Sequence, residues 1–209
     1  RTVAVSLAVQ ALVADGENAS GFDAQRFARH SLFVGVLGAY LFRRRAQEAN
    51  FNSDWTAEEV FAAGVLHDLP DALLFRVAPD VYTRTSIYAT RQNIPFQEAF
   101  YRVVKKPLWT LGILTVESWK LPKVFSETIQ YVEEPWLHAS EYSALCCIKF
   151  ADALSATAGF GKTATPVTVP SHPDIAEEVG IDPKELASSL EVVSRHVDDL
   201  HRETLHKAA

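Results

Sequence analysis

Phe61-Ala62-Ala63-Gly64-Val65-Leu66-His67-Asp68 is an apolar helical run that ends in two ionisable side chains. A core helix has no reason to finish in an imidazole and a carboxylate unless something pairs with them. A buried carboxylate is strongly destabilising unless it is hydrogen-bonded, ion-paired or bound to a metal. The doublet therefore calls for partners elsewhere in the chain.

Two other apolar helix faces carry an ionisable residue at a core position. His30 follows Phe27 by three residues and precedes Val34 by four, so all three share a face. Asp152 lies four residues after Ile148 and seven after Leu145, while His67 continues the face of Val60 and Gly64. Singly, each has an ordinary explanation. A lone His on such a face is usually a core histidine bonded to a carbonyl, and Asp68 could cap a helix beginning at Leu69-Pro70-Asp71. Jointly, two imidazoles and two carboxylates from three helices form a first shell for one or two divalent cations. Mixed nitrogen and oxygen donors suit Fe, Mn or Zn better than Ca. Neighbours on a helix point about 100° apart, so an ion shared by His67 and Asp68 has to sit beside the last turn. Lys149 is the one basic residue near a ligand by helical spacing, and it reads as a lysine with a buried stem and a solvated head.

Helical periodicity dominates around these residues, and strand-like alternation is scarce. The pattern predicts helices over about residues 2–14 and 23–49, separated by a turn at Gly16–Gly21. Thr56-Ala57-Glu58-Glu59 has capping-box spacing and starts the helix that ends in the doublet. Further helices are expected over Asp71–Val77, from Asn93-Ile94-Pro95 to Lys105, from Pro107 to Trp119, from Leu121-Pro122 onward, and from a Ser140 cap to Ala158. The expected class is all-α: a helical bundle over residues 1–160, then a loop and a C-terminal helical extension over 161–209. In that extension Asp182-Pro183 is an N-cap followed by Pro at the first helical position. Leu186, Leu190, Val193, Val197 and Leu200 recur at steps of four and three. Such a stripe packs on its parent domain or, as the alternative, forms a homodimer seam.

The bulk numbers remove several function classes. The 209 residues are 48% hydrophobic, enough to fill a core. The formal net charge of −6 argues against general affinity for nucleic acid or anionic lipid. Arg43-Arg44-Arg45 reads as a solvated helix end. No apolar run is long enough to span a membrane. Cys146 and Cys147 are adjacent and cannot staple distant segments, which favours two buried thiols in a reducing, cytoplasmic setting. The chain begins Arg1-Thr2-Val3, without a signal-peptide pattern or an initiator Met, and is expected to be a fragment or a processed chain.

His30-Ser31 in an early long helix, His67-Asp68 within Ala63 to Leu69, and Asp152 within Phe150-Ala151-Asp152-Ala153-Leu154 resemble the HD superfamily of all-helical metal-dependent phosphohydrolases. Trp119-Lys120-Leu121-Pro122, after the helix bearing Gly112, makes the resemblance closer to its HDOD branch, the HD-related output domain of bacterial signalling proteins. The similarity covers roughly residues 20–160. It implies metal ligands at His30, His67, Asp68 and Asp152 and a regulatory output role, with a signalling partner or a fused sensor or effector domain. The alternative it implies is a hydrolase of nucleotides or cyclic dinucleotides, in which Asp68 orients the attacking water. A third reading is a purely structural hydrogen-bonded core.

The departures favour the regulatory role. Where the family often has a histidine four residues before the glycine, this chain has Leu108; where it often has a histidine pair, this chain has Tyr131-Val132-Glu133-Glu134. Pro70 replaces the glycine that usually follows the doublet, and the family's N-terminal helical lobe is expected to be missing. Phosphoryl transfer needs cationic groups for the developing charge, and Glu133 and Glu134 would repel a phosphate.

Overall fold

The computed structural model describes residues 22–47, 51, 53–132, 143–162 and 180–208. The expected helix over 2–14, the Gly16–Gly21 turn, Glu133-Glu134 and the Ser140 cap lie outside the described residues. Nine helices and no strand occur among the described residues, and the fold class is all-α, as the periodicity implied.

The central element is α1, Ala24–Arg45. Asp23 caps it by accepting from the Arg26 backbone N–H at 2.9 Å. It is buried on several sides, through Phe27, Leu32, Phe33, Val34, Leu37 and Leu41, because different helices pack around it. It ends at Arg45 with three arginines in the last turn, short of the expected residue 49.

Helix α2, Ala57–Leu66, starts on the expected capping box: Glu59 N–H donates to Thr56 Oγ1 at 3.2 Å, and the Thr56 N–H donates to Glu59 Oε2 at 2.8 Å. It crosses α1 where Gly64 faces Gly35. A Cβ on Gly64 would stand 2.8 Å from the Gly35 Cα and 3.1 Å from the Val34 carbonyl oxygen. These are backbone atoms and cannot rotate away, so only glycine permits the approach.

The chain then bends at His67-Asp68 and resumes as α3, Leu69–Val77. Helix α4, Pro79–Gln92, was not foreseen. Its inward positions are only Tyr82, Thr85 and Ala89, a helical spacing too thinly apolar to stand out. Helices α5 (Phe96–Val104), α6 (Trp109–Ser118) and α7 (Lys123–Tyr131) follow. The Trp119-Lys120-Leu121-Pro122 element is the α6–α7 turn, with Lys120 left-handed at φ 54°. Gly112 of α6 rests on Pro70 and Ile129, where a Cβ would come within 2.6 and 2.8 Å of their side chains. The proline beside the doublet is thus built into the packing of α6.

Helix α8, Ser143–Thr157, flanks α1 and buries Leu145, Cys146, Cys147, Ile148 and Phe150. The last helix, α9, is Pro183–Ala208, with Asp182 accepting from the Lys184 N–H at 2.8 Å. Its stripe lies against α1 with Leu186, Val193 and Val197 buried. Polar links edge this seam: Tyr40 with Ser189 at 2.7 Å and Arg44 with Glu185 at 3.0 Å. No helix among the described residues is long and apolar enough to cross a membrane.

Gly64→Ala should therefore destabilise the protein by about 1–3 kcal/mol, the usual range for overpacking a tight contact. Urea unfolding would show a lower midpoint at unchanged slope; an unchanged midpoint would mean that α1 and α2 separate freely.

Candidate metal centre

Three helices deliver the four side chains to one point. His30 is in the second turn of α1, His67 and Asp68 occupy the bend between α2 and α3, and Asp152 is in the second half of α8. His30 Nε2 lies 3.3 Å from His67 Nε2, 3.2 Å from Asp68 Oδ2 and 3.4 Å from Asp152 Oδ1. His67 Nε2 lies 3.2 Å from Asp68 Oδ2 and 3.7 Å from Asp152 Oδ1. Both residues lie in the turn after Leu66, where the chain leaves one helix for the next. Asp68 occupies the N-cap position of α3 but makes no side-chain capping bond, so the ordinary cap explanation fails.

The tautomers follow from the partners. His67 Nδ1 is 2.6 Å from the Gly64 carbonyl and His30 Nδ1 is 3.0 Å from the Phe160 carbonyl. A carbonyl oxygen only accepts, so both Nδ1 atoms donate and, in the neutral rings, both Nε2 atoms present lone pairs to the cluster. Two lone pairs and two carboxylate oxygens then face one another with no donor between them. Asp68 Oδ2 is buried and has no hydrogen-bond partner. Such an arrangement persists only with a cation inside it, either a proton or a metal.

A metal fits the donors. Ligand atoms about 2.1 Å from a common ion stand roughly 3.0–3.4 Å apart in octahedral or tetrahedral geometry, close to the observed spacings. His30, His67 and Asp152 form a metal-compatible group with all ligand atoms within 4.8 Å of one another; Asp68 is not part of that group, although its Oδ2 lies 3.2 Å from both imidazole Nε2 atoms. The Nδ1–H···O=C bonds are the outer supports that metal-binding histidines commonly have.

The electrostatics say the same for the metal-free protein. Burial pulls the His67 imidazole down, but Asp68 and Asp152 more than offset it and push it up to about 10. Burial opposes ionised Asp68, yet His67 and Lys162 hold its carboxyl well below the ordinary range. Asp152, also opposed by burial, is held down chiefly by His67.

Lys162 had no place in the sequence reading. Its Nζ is 2.5 Å from Asp68 Oδ1 and 3.8 Å from Asp71 Oδ2. It follows Gly159-Phe160-Gly161 in a non-periodic stretch, so no spacing rule ties it to Asp68. Lys149, the basic residue that spacing did single out, is buried, and its Nζ donates to the Tyr131 carbonyl at 3.2 Å. It is not a solvated surface lysine.

A cleft of about 240 Å³ reaches His67 and Asp68. Its walls include Pro70, Tyr101, Leu108, Trp109, Ile129 and Val132, with Gln97 and Gln130, and no Lys or Arg among the described residues that line it. Leu108 and Val132, two of the outer positions where the sequence departs from the family's histidines, are therefore apolar wall.

A helical bundle that gathers His, His-Asp and Asp around one point defines an HD-type domain. A family model for the HDOD domain matches residues 1–135, and the chain belongs to that family. The match starts and ends earlier than the motifs suggested, and Asp152 lies beyond it. The crystal structure of an HDOD domain protein with unknown function from Geobacter sulfurreducens shares the fold, with a TM-score of 0.70 at 21% identity. The alignment covers 92% of this chain and 67% of that one. Comparison with curated proteins finds no match.

The metal-free protein should show a signed pH dependence. His67 is raised from 6.5 to about 10, so its contribution is complete below pH 6.5 and is lost as pH rises toward 10. Asp68 and Asp152 are lowered from 3.8, so theirs is present above that pH and is lost in more acidic solution. In EDTA, urea unfolding should give lower stability at pH 9 than at pH 6, by something on the order of 3 kcal/mol. His67→Gln should remove that difference, and a slope unchanged in the variant would place its origin elsewhere.

Proposed function

We propose that this chain is a signalling output module of the HDOD type whose His30, His67, Asp68 and Asp152 quartet, closed on one side by the partly exposed Asp152, holds one divalent cation. His30, His67, Asp68 and Asp152 are the ligands, and Fe, Mn or Zn is the ion their donors suit. The observation that carries the reading is the pair of imidazole lone pairs and the orphaned Asp68 Oδ2 meeting inside the bundle. When bound, the ion would take the place of the proton that His67 otherwise carries among these acceptors; the chain's own groups fix its surroundings. The Gly64 and Phe160 carbonyls set the imidazole tautomers, and Lys162 occupies Asp68 Oδ1, leaving Oδ2 for the centre.

Regulatory use is favoured over turnover by the charges and by the cleft. A divalent ion together with Lys162 only balances Asp68, Asp71 and Asp152, leaving no excess positive charge for a phosphate dianion. The cleft beside the doublet offers aromatic, aliphatic and carboxamide groups instead of cations. The output is read by a cytoplasmic signalling partner or by a sensor or effector domain in the same polypeptide.

One observation keeps a second reading in view. Lys162 is a cationic group beside Asp68, and the cleft opens directly onto the doublet. In a metal-dependent phosphohydrolase Asp68 would hold and orient the attacking water, and Lys162 would offset charge on the leaving phosphate.

Purified protein should contain near-stoichiometric Fe, Mn or Zn. A ligand at a hundred times its Kd stabilises by about 2.7 kcal/mol, so chelation should lower Tm by roughly 5–10 °C for a domain of this size. His67→Ala should abolish the chelator effect, and a Tm indifferent to chelation overturns the metal reading. A panel of phosphate esters, nucleotides and cyclic dinucleotides with added Mn²⁺ should show no turnover; turnover lost in Asp68→Ala transfers the assignment to the hydrolase.

A further inference from the structure

Phe160-Gly161-Lys162 touches the site at two of its members. The Phe160 carbonyl accepts from His30 Nδ1 at 3.0 Å, and Lys162 Nζ holds Asp68 Oδ1 at 2.5 Å. The segment follows α8, which carries Asp152, by only a short turn. Arg26 Nε fastens it further by donating to the Gly161 carbonyl at 2.7 Å. Three of the four ligands are therefore covalently linked to this segment or bonded to it.

The same segment meets the C-terminal helix. The Phe160 ring stacks on Phe33 with centroids 4.6 Å apart, and the Arg29 guanidinium sits over it at 4.8 Å. Arg29 then pairs with Asp198 of α9 at 2.7 Å. Arg29 and His30 are consecutive in α1, so one residue grips the ring of Phe160 and the next its carbonyl. A shift of Phe160 cannot occur without disturbing both.

We propose that Phe160-Gly161-Lys162 positions the metal ligands and couples the ion to the docking of α9, through Phe160, Arg29 and Asp198. This rests on the metal reading given above. With the ion in place, His30 is fixed from its Nε2 side and its Nδ1–H holds the Phe160 carbonyl. Without it, the lone pairs and carboxylates must separate or take up protons, and the segment loses one of its anchors. Linkage makes the effect reciprocal: loosening α9 must weaken metal binding by the factor by which the metal tightens α9. The output surface of the module is then α9 itself, more or less firmly held on α1 according to the state of the centre.

The test uses the full chain and Mn²⁺ as the probe ion, with Kd measured by electron paramagnetic resonance titration. Asp198→Lys opposes Arg29 across the seam. Glu191→Lys makes the same charge change on the same helix but faces Arg195, not Arg29. Asp198 is half-buried at the seam and Glu191 is exposed; neither side chain belongs to the hydrophobic core. Asp198→Lys should raise the Mn²⁺ Kd about tenfold while Glu191→Lys changes it less than twofold, a coupling within the range usual for linked sites. In wild-type protein, Mn²⁺ should slow amide exchange of residues 186–201 by about the same factor. Saturable Mn²⁺ binding with equal Kd in the two variants, or with exchange in α9 unchanged, overturns the coupling and leaves the metal reading standing. No saturable binding in wild type overturns both.

Discussion

Two imidazoles and two carboxylates converging where three helices meet is the constraint around which the fold is arranged. A histidine whose Nδ1–H is tied to a carbonyl has only a lone pair at Nε2, and two such lone pairs stand 3.3 Å apart here. Two carboxylates close the same space. In water this cluster would disperse; inside a bundle it is held by elements that have other reasons to be where they are. The Gly35–Gly64 contact fixes how far α2 sits from α1. Pro70, pressed under Gly112, fixes where α3 leaves the bend. A low local dielectric magnifies both the repulsion without a cation and the attraction with one.

Much of this was legible in the chain because the cluster violates the pattern around it. His30, His67 and Asp152 each stand where helical spacing calls for an apolar residue, and Asp68 adjoins one of them. Periodicity located the helices that carry them, and the Thr56–Glu59 box marked the start of α2 to the residue. Where the signal was weak, the reading fell short. Helix α4 buries three small or amphipathic positions and left no apolar stripe. Element ends were placed a few residues off at Arg45 and Trp109, because no side-chain cap marks them.

The supporting groups of the centre were not legible at all, for a different reason. Two of them are carbonyl oxygens, at Gly64 and Phe160, which every residue possesses. The third, Lys162, reaches Asp68 from 94 residues away through a stretch without periodicity. Helical spacing pointed to Lys149 because spacing rules see only one helix at a time. The structure shows that lysine donating to the Tyr131 carbonyl. Sequence finds ligands by what they replace in a core; it cannot find the groups that hold ligands by backbone or by tertiary chance.

Fold and ligand set alone do not decide between an enzyme and a module that only senses. The distinction lies in what surrounds the ion. Phosphoryl transfer needs positive charge beyond that of the metal, arranged where the phosphate sits. Here Lys162 is drawn onto Asp68 and shared with Asp71, and the cleft wall at Leu108 and Val132 is aliphatic. The charge that a catalyst would offer to a substrate is spent inside the protein on keeping its own carboxylates ionised. On the proposed reading, a centre neutralised in this way has little left with which to attract an anion. It remains well suited to hold three helices and the Phe160–Lys162 segment in one arrangement, which is the property an output domain requires.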